Sequence, residues 1–210
     1  MIDDGLPTPK RYLAILAISF GTALVVIDGA IATVALPTIA RDLKVDGSAA
    51  VLVVTIYQLV LVMTLLPLSA LGDRVGLRRM YHYGLIVFVI ATVLCFFARS
   101  LLVLLIVRAI QALGAAATLS VSSALLRSVY PARHLGRGLG INSVVVSTSV
   151  ALAPTLGGLV LSVGPWPWVF ASAVPFAIIS LLLGRSLPPS VPRLGPMIFW
   201  ALFCARQALA

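Results

Sequence analysis

Stretches of about twenty or more residues with almost no charge, separated by short charged breaks, decide what this chain can become. A membrane span needs roughly 20 mostly apolar residues. Four such runs lie at about 12–36, 49–71, 80–98 and 101–126, and two more share the uncharged stretch 138–184. That stretch is too long for one helix. Pro165 and Pro167, in "GPWPW", stop helix propagation and divide it. Trp166 and Trp168 beside them suit a membrane interface. The first run follows Lys10 and Arg11 as the apolar core of a signal peptide would. Because equally long runs follow it, it reads as a first span rather than a removed leader.

Composition supports the same solvent. Hydrophobic residues make up 61% of 210, and mean hydropathy is +1.14. A soluble domain of this size could not cover that much apolar surface. The expected fold class is all-α: a polytopic membrane protein with a six-helix bundle over 12–185. It follows a cytoplasmic N-terminus, 1–11. After it comes the proline-rich linker and short apolar tail of 186–210, whose "MIFWALFCA" is too short to span. That tail raises truncation as one reading.

Charge sets the orientation. With the N-terminus inside, the inner segments hold Lys10, Arg11, Arg74, Arg78, Arg79, Arg127, Arg133, Arg137, Arg185 and Arg193, and the outer ones only Arg41, Lys44 and Arg99. This asymmetry fixes an N-in, multi-pass topology by the positive-inside rule. The net charge of +9 does not point to nucleic acid, because the charges sit in breaks between apolar runs and not on one solvated face. Cys95 and Cys204 have no metal spacing and form no disulfide framework. His82 and His134 each stand alone at a loop edge and read as surface histidines. No nucleophile–base set, phosphate loop or metal cluster is present in the sequence, so neither an enzyme nor a bound cofactor is expected.

Polar residues inside the runs carry the functional signal. Asp28 is a lone acid in the first span and Arg108 a lone base in the fourth. Such residues are costly in lipid and mark functional sites by default; an arginine costs roughly 2.5–3.5 kcal/mol on insertion scales. Gln111 shares the helical face of Arg108. Burial penalises the charged form of a carboxyl group, so a buried acid can carry a proton near neutral pH. Two plainer readings stand beside these. Asp28 would be structural, bonded to a neighbouring helix, and Arg108 would snorkel to the outer interface. The segment "GDRVGLRRMY" is a cytoplasmic turn in which Gly76 allows φ > 0. Asp73, at the negative end of a helix dipole, needs a partner: an arginine of the same loop or another helix's N-terminus.

Four motifs in this order resemble the major facilitator superfamily over about residues 10 to 188. "SALGDRVGLRRMY" resembles the family's loop 2-3 signature, with Leu71, Asp73, Arg74, Gly76 and Arg78 matching and Ser69 and Leu77 departing. "LIVRAIQALGAAA" resembles the span-four motif through Arg108, Gln111 and Gly114, with Ala112 in place of a glycine. "SVALAPTLGGLV" resembles the span-five antiporter motif through Pro154, Gly157 and Gly158, with Ser149 and Ala153 replacing glycines. "IDGAIATVALPTIARDL" resembles the end of span one in drug:proton antiporters of the fourteen-span kind, with Asp28, Val34, Ala35, Leu36, Pro37 and Ile39 matching and Ala30 and Thr33 departing from the usual threonine and asparagine. "PWPWVFASAVPF" is similar to the opening of span six.

The resemblance implies the N-terminal six-helix bundle of a transporter that sets two such bundles around a midplane site. It implies proton-coupled efflux of drugs or lipophilic cations across the bacterial inner membrane. Asp28 would carry the proton, with Arg108 and Gln111 tuning it. Asp73, Arg74, Gly76 and Arg78 would form a gating loop that reaches the second half. Pro154, Gly157 and Gly158 would bend and pack the fifth helix. Asp28 in an apolar cavity would attract a lipophilic cation. The implied partners are that cation, protons, the lipid bilayer and a second half-transporter or second copy of the chain. With one bundle only, the polar groups facing the missing half would be exposed to lipid. Two alternatives stay open: a symporter or uniporter for a small nutrient, and a non-transporting membrane fragment.

Overall fold

A computed structural model describes residues 8–130, 135–185 and 187. Every regular element among them is helical: α1 Thr8–Asp42, α2 Gly47–Val75, α3 Leu77–Phe96, α4 Leu101–Val129, α5 Leu135–Val163, α6 Pro167–Ala171 and α7 Val174–Gly184. In lipid every backbone N–H and C=O must bond within its own segment, which leaves the helix as the available spanning form for these runs. Among the described residues six helical segments are long and apolar enough to cross a membrane, the sixth made of α6 and α7 together.

The helices are longer than the apolar runs. α1 continues past Leu36 and through Pro37 to Asp42. The expected loop between spans two and three is nearly absent. Nothing in Gly72-Asp73-Arg74-Val75 stops a helix, so α2 runs through it. Gly76, at φ 104°, is the single residue that separates α2 from α3. Only glycine takes that conformation without strain. Asp73 and Arg74 therefore occupy the last turn of α2, and Arg78 the first turn of α3, instead of a loop. α4 opens on Ser100, whose hydroxyl accepts from the Val103 N–H at 3.4 Å as an N-cap.

The sixth span is not one helix. Pro175, in the first turn of α7, has no N–H to bond back into α6, and the chain steps through Ser172 and Ala173 between the two pieces. The division at Pro165 and Pro167 matches expectation, but the two tryptophans part company. Trp166 is buried and its indole Nε1–H donates to Asp42 Oδ2 at 2.7 Å, tying the end of α1 to the start of α6. Trp168 is exposed and stands edge-on to Phe96.

α4 is the most enclosed of the later helices and packs on both α3 and α2, while α1 packs on α5, α7, α2 and α4. The α3–α4 seam is made by glycines. A Cβ placed on Gly114 would lie 2.6 Å from the Phe88 backbone nitrogen and 2.7 Å from the Gly84 carbonyl oxygen. α2 and α5 keep most of their apolar side chains on the outside, Leu66 and Val144 among them.

Candidate functional site

Asp28, near the middle of α1, and Arg108, in the third turn of α4, meet inside the bundle. Arg108 Nη1 donates to Asp28 Oδ2 at 2.7 Å, and both side chains are fully buried. Gln111 bridges the pair. Its Oε1 accepts from Arg108 Nη1 at 2.7 Å, and its Nε2 donates to Asp28 Oδ1 at 3.1 Å. The same Nε2 donates to Thr92 Oγ1 of α3 at 2.8 Å. Thr92 in turn donates to the Phe88 carbonyl at 2.7 Å, and the Cys95 thiol lies 3.8 Å from Gln111 Oε1.

Aromatic rings cover the guanidinium. Its Cζ lies 4.1 Å from the centre of the Tyr57 ring on α2 and 5.0 Å from that of Phe170 on α6. Arg108 Nε and Nη2 make no hydrogen bond among the described residues, and this aromatic cover is the environment they have. A cation over an aromatic face gains about 2 kcal/mol when desolvated. Tyr57 is held by its own hydroxyl, which donates to the Val25 carbonyl of α1 at 3.4 Å. Five helices therefore converge on one buried carboxylate–guanidinium pair.

This geometry decides between two readings of Arg108 and corrects two expectations. Arg108 does not snorkel to an interface; it points inward and is sealed. Asp28, Arg108 and Gln111 do not form a face open to lipid, because their partners lie within the same bundle. Asp28 also does not offer an unpaired negative charge to a cationic ligand, since Arg108 neutralises it.

The other residues singled out lie elsewhere. Asp73 is exposed and makes no ion pair among the described residues, so the expected partner within its own turn is not there. Arg78 Nη2 donates to the Arg185 carbonyl at 2.9 Å, clasping α3 to the end of α7. His82 is part-buried, its Nδ1 at 2.8 Å from the Arg78 carbonyl. On α5, Gly157 faces Ile31 and Val34 of α1, where an added Cβ would lie 2.9 Å from Ile31 Cγ1. Gly158 and Pro154 lie on the outer side. Thus Gly157 makes a close helix contact and Gly158 does not. His134, Arg133, Arg193 and Cys204 lie outside the described residues.

A family model for the Major Facilitator Superfamily matches residues 18–199, most of the chain. The chain belongs to the major facilitator superfamily. Members of this superfamily are membrane transporters and not enzymes. The chain is 49% identical over 191 residues to the uncharacterized transporter YebQ of Escherichia coli, an alignment that covers 90% of this chain and 42% of YebQ. It is 33% identical over 180 residues to the riboflavin transporter RibZ of Clostridioides difficile, covering 86% of this chain and 40% of RibZ. It is 34% identical over 177 residues to the drug efflux pump JefA of Mycobacterium tuberculosis, covering 84% and 35%. The chain thus spans less than half the length of the curated relatives it matches. In fold it resembles a bacterial homolog of the human lysosomal transporter Spinster, with a TM-score of 0.75 at 21% identity over 90% of this chain and 45% of that one.

As a facilitator bundle, the chain places its buried ion pair where motifs of spans one and four put Asp28 and Arg108. Tyr57, Thr92, Cys95 and Phe170 complete that site and were not singled out by sequence. Tyr57, Thr92 and Cys95 sit in apolar runs as ordinary small or aromatic residues that no local pattern marks, and Phe170 lies in the span-six motif without any sign there of a partner.

Proposed function

We propose that this chain is one bundle of a proton-coupled exporter of drugs or lipophilic cations in the bacterial inner membrane, with its N-terminus in the cytoplasm. The observation that carries this reading is the fully buried Asp28–Arg108 pair, bridged by Gln111. A proton arriving at Asp28 removes the negative charge that holds Arg108. The guanidinium keeps Gln111 Oε1 and the rings of Tyr57 and Phe170. The tie between α1 and α4 weakens, and releasing the proton restores it. An element with two arrangements, switched by one proton, is what coupling requires. The similarity to a drug efflux pump supports the class of substrate, and the similarity to a riboflavin transporter supports a planar nutrient as the second reading. A third reading is favoured by the enclosure of the pair: a static lock between α1 and α4.

The test is a chimera in which this bundle replaces the region it matches in YebQ. Energised everted vesicles carrying the chimera should lose part of their pH gradient when a lipophilic cation is added. Asp28→Asn should abolish that response at unchanged expression. A response that survives Asp28→Asn would leave Asp28 with a structural role only. The 210-residue chain alone should insert without transporting, because alternating access needs two bundles to move about a central site. The partner is a second half-transporter or a second copy of the chain. Uptake of a fluorescent cation by liposomes holding demonstrably monomeric chain would refute that requirement.

A further inference from the structure

At the end of the bundle that carries most of the arginines, a cavity of about 270 Å³ opens between α1, α4 and α5. Its walls are Arg11, Tyr12 and Ile15 from α1, Tyr130 at the end of α4, and Arg137 and Ile141 from α5. Two cationic side chains and two phenols thus meet around an apolar floor, and among the described residues no carboxylate lines the space. Both guanidinium groups lie close enough to bear electrostatically on the Tyr130 hydroxyl. The Tyr130 ring is seated against Gly138. A Cβ there would come within 2.8 Å of the ring's Cζ, so only glycine leaves the ring in place as a wall.

We propose that this cavity binds a phosphate group, supplied by the headgroup of an anionic phospholipid. Arginine forks match phosphate oxygens bidentately. Tyrosines place an apolar ring in the bilayer and a hydroxyl at the headgroup. Basic pockets between transmembrane helices are a recurrent form of anionic-lipid site. Ile15 and Ile141 then meet the first carbons of the acyl chains, which a free phosphate does not possess. The occupant would tie the start of α1 to the start of α5, two helices that also meet at Gly157.

The test uses the full chain, purified in detergent and stripped of lipid. Phosphatidylglycerol, phosphatidylcholine and inorganic phosphate are titrated separately, with bound lipid counted by native mass spectrometry and stability followed by thermal unfolding. The expected result is retention and stabilisation by phosphatidylglycerol, with affinity about tenfold weaker in Arg11→Gln/Arg137→Gln. Arg79→Gln/Arg127→Gln, which removes the same charge from the same end outside the cavity, should bind as the parent does. Gly138→Ala should weaken binding with every charge retained, which separates a shaped site from diffuse attraction. Equal binding by the parent and Arg11→Gln/Arg137→Gln overturns the proposal. Equal loss in Arg79→Gln/Arg127→Gln overturns it as well, and so does equal protection by phosphatidylcholine. Protection by inorganic phosphate matching that of phosphatidylglycerol overturns the assignment to lipid.

Discussion

Asp28→Leu, with Arg108 left in place, is expected to destabilise the bundle by about 3–5 kcal/mol. The loss comes less from a missing bond than from what remains. Arg108 is fully buried, and Asp28 Oδ2 at 2.7 Å is the anion that balances it. Without that anion the guanidinium keeps Gln111 Oε1 and two aromatic faces, none of which carries a full charge. Asp28→Leu/Arg108→Leu removes both charges together and replaces them with apolar side chains. Replacing a buried pair in this way is often neutral or stabilising, so the double variant should recover most of the loss. Titration with a denaturing detergent, followed by tryptophan fluorescence, measures both variants. The double variant should nevertheless give no proton-coupled transport in the YebQ chimera. A single Asp28→Leu as stable as the parent would show that Arg108 is not held by Asp28.

Gly114→Ala is expected to cost about 3 kcal/mol, at the upper end for an added methyl group in a packed interior. The added Cβ meets backbone on both sides, at Phe88 N and at Gly84 O, and neither is a side chain that can rotate away. α3 and α4 must therefore separate. Thr92 and Gln111, which hydrogen-bond across the same seam at 2.8 Å, would separate with them. The change should lower thermal stability and weaken coupling together. By contrast, Gly158→Ala points into open space and should leave both unchanged. Equal stability for Gly114→Ala and Gly158→Ala would contradict the close α3–α4 approach.

The fold was legible where physics acts locally. Runs of apolar residues give spans, and Pro165 and Pro167 divide the last of them. What the sequence hid depends on packing at a distance. Asp28 and Arg108 each drew notice as charges in lipid, but they lie eighty positions apart, and only the crossing of α1 and α4 shows that they neutralise each other. Tyr57 carried no signal, because an aromatic residue in an apolar run reads the same whether it faces lipid or an arginine; Phe170 lay in the motif at the opening of span six, but nothing in that motif tied it to Arg108. The turn at 72–78 was misjudged for a simpler reason. Charged residues suggested a loop, yet aspartate and arginine continue a helix without difficulty, and only Gly76 interrupts it. The break in the sixth span was written in Pro175, which lies in the span-six motif but was not read as a break.

The central claim is that Asp28 gains and loses a proton while the bundle stays folded. Infrared difference spectroscopy of the chain in lipid, between alkaline and acidic conditions, observes this directly. The carbonyl stretch of a protonated carboxylic acid is distinct from that of a carboxylate, and Asp28 is the one fully buried aspartate among the described residues. The account predicts a reversible carboxylic-acid band that appears on acidification, shifts with isotope-labelled aspartate and is missing in Asp28→Asn. A folded chain in which no such band appears at any pH, or in which Asp28→Asn retains it, would contradict the claim and leave the Asp28–Arg108 pair as a static lock.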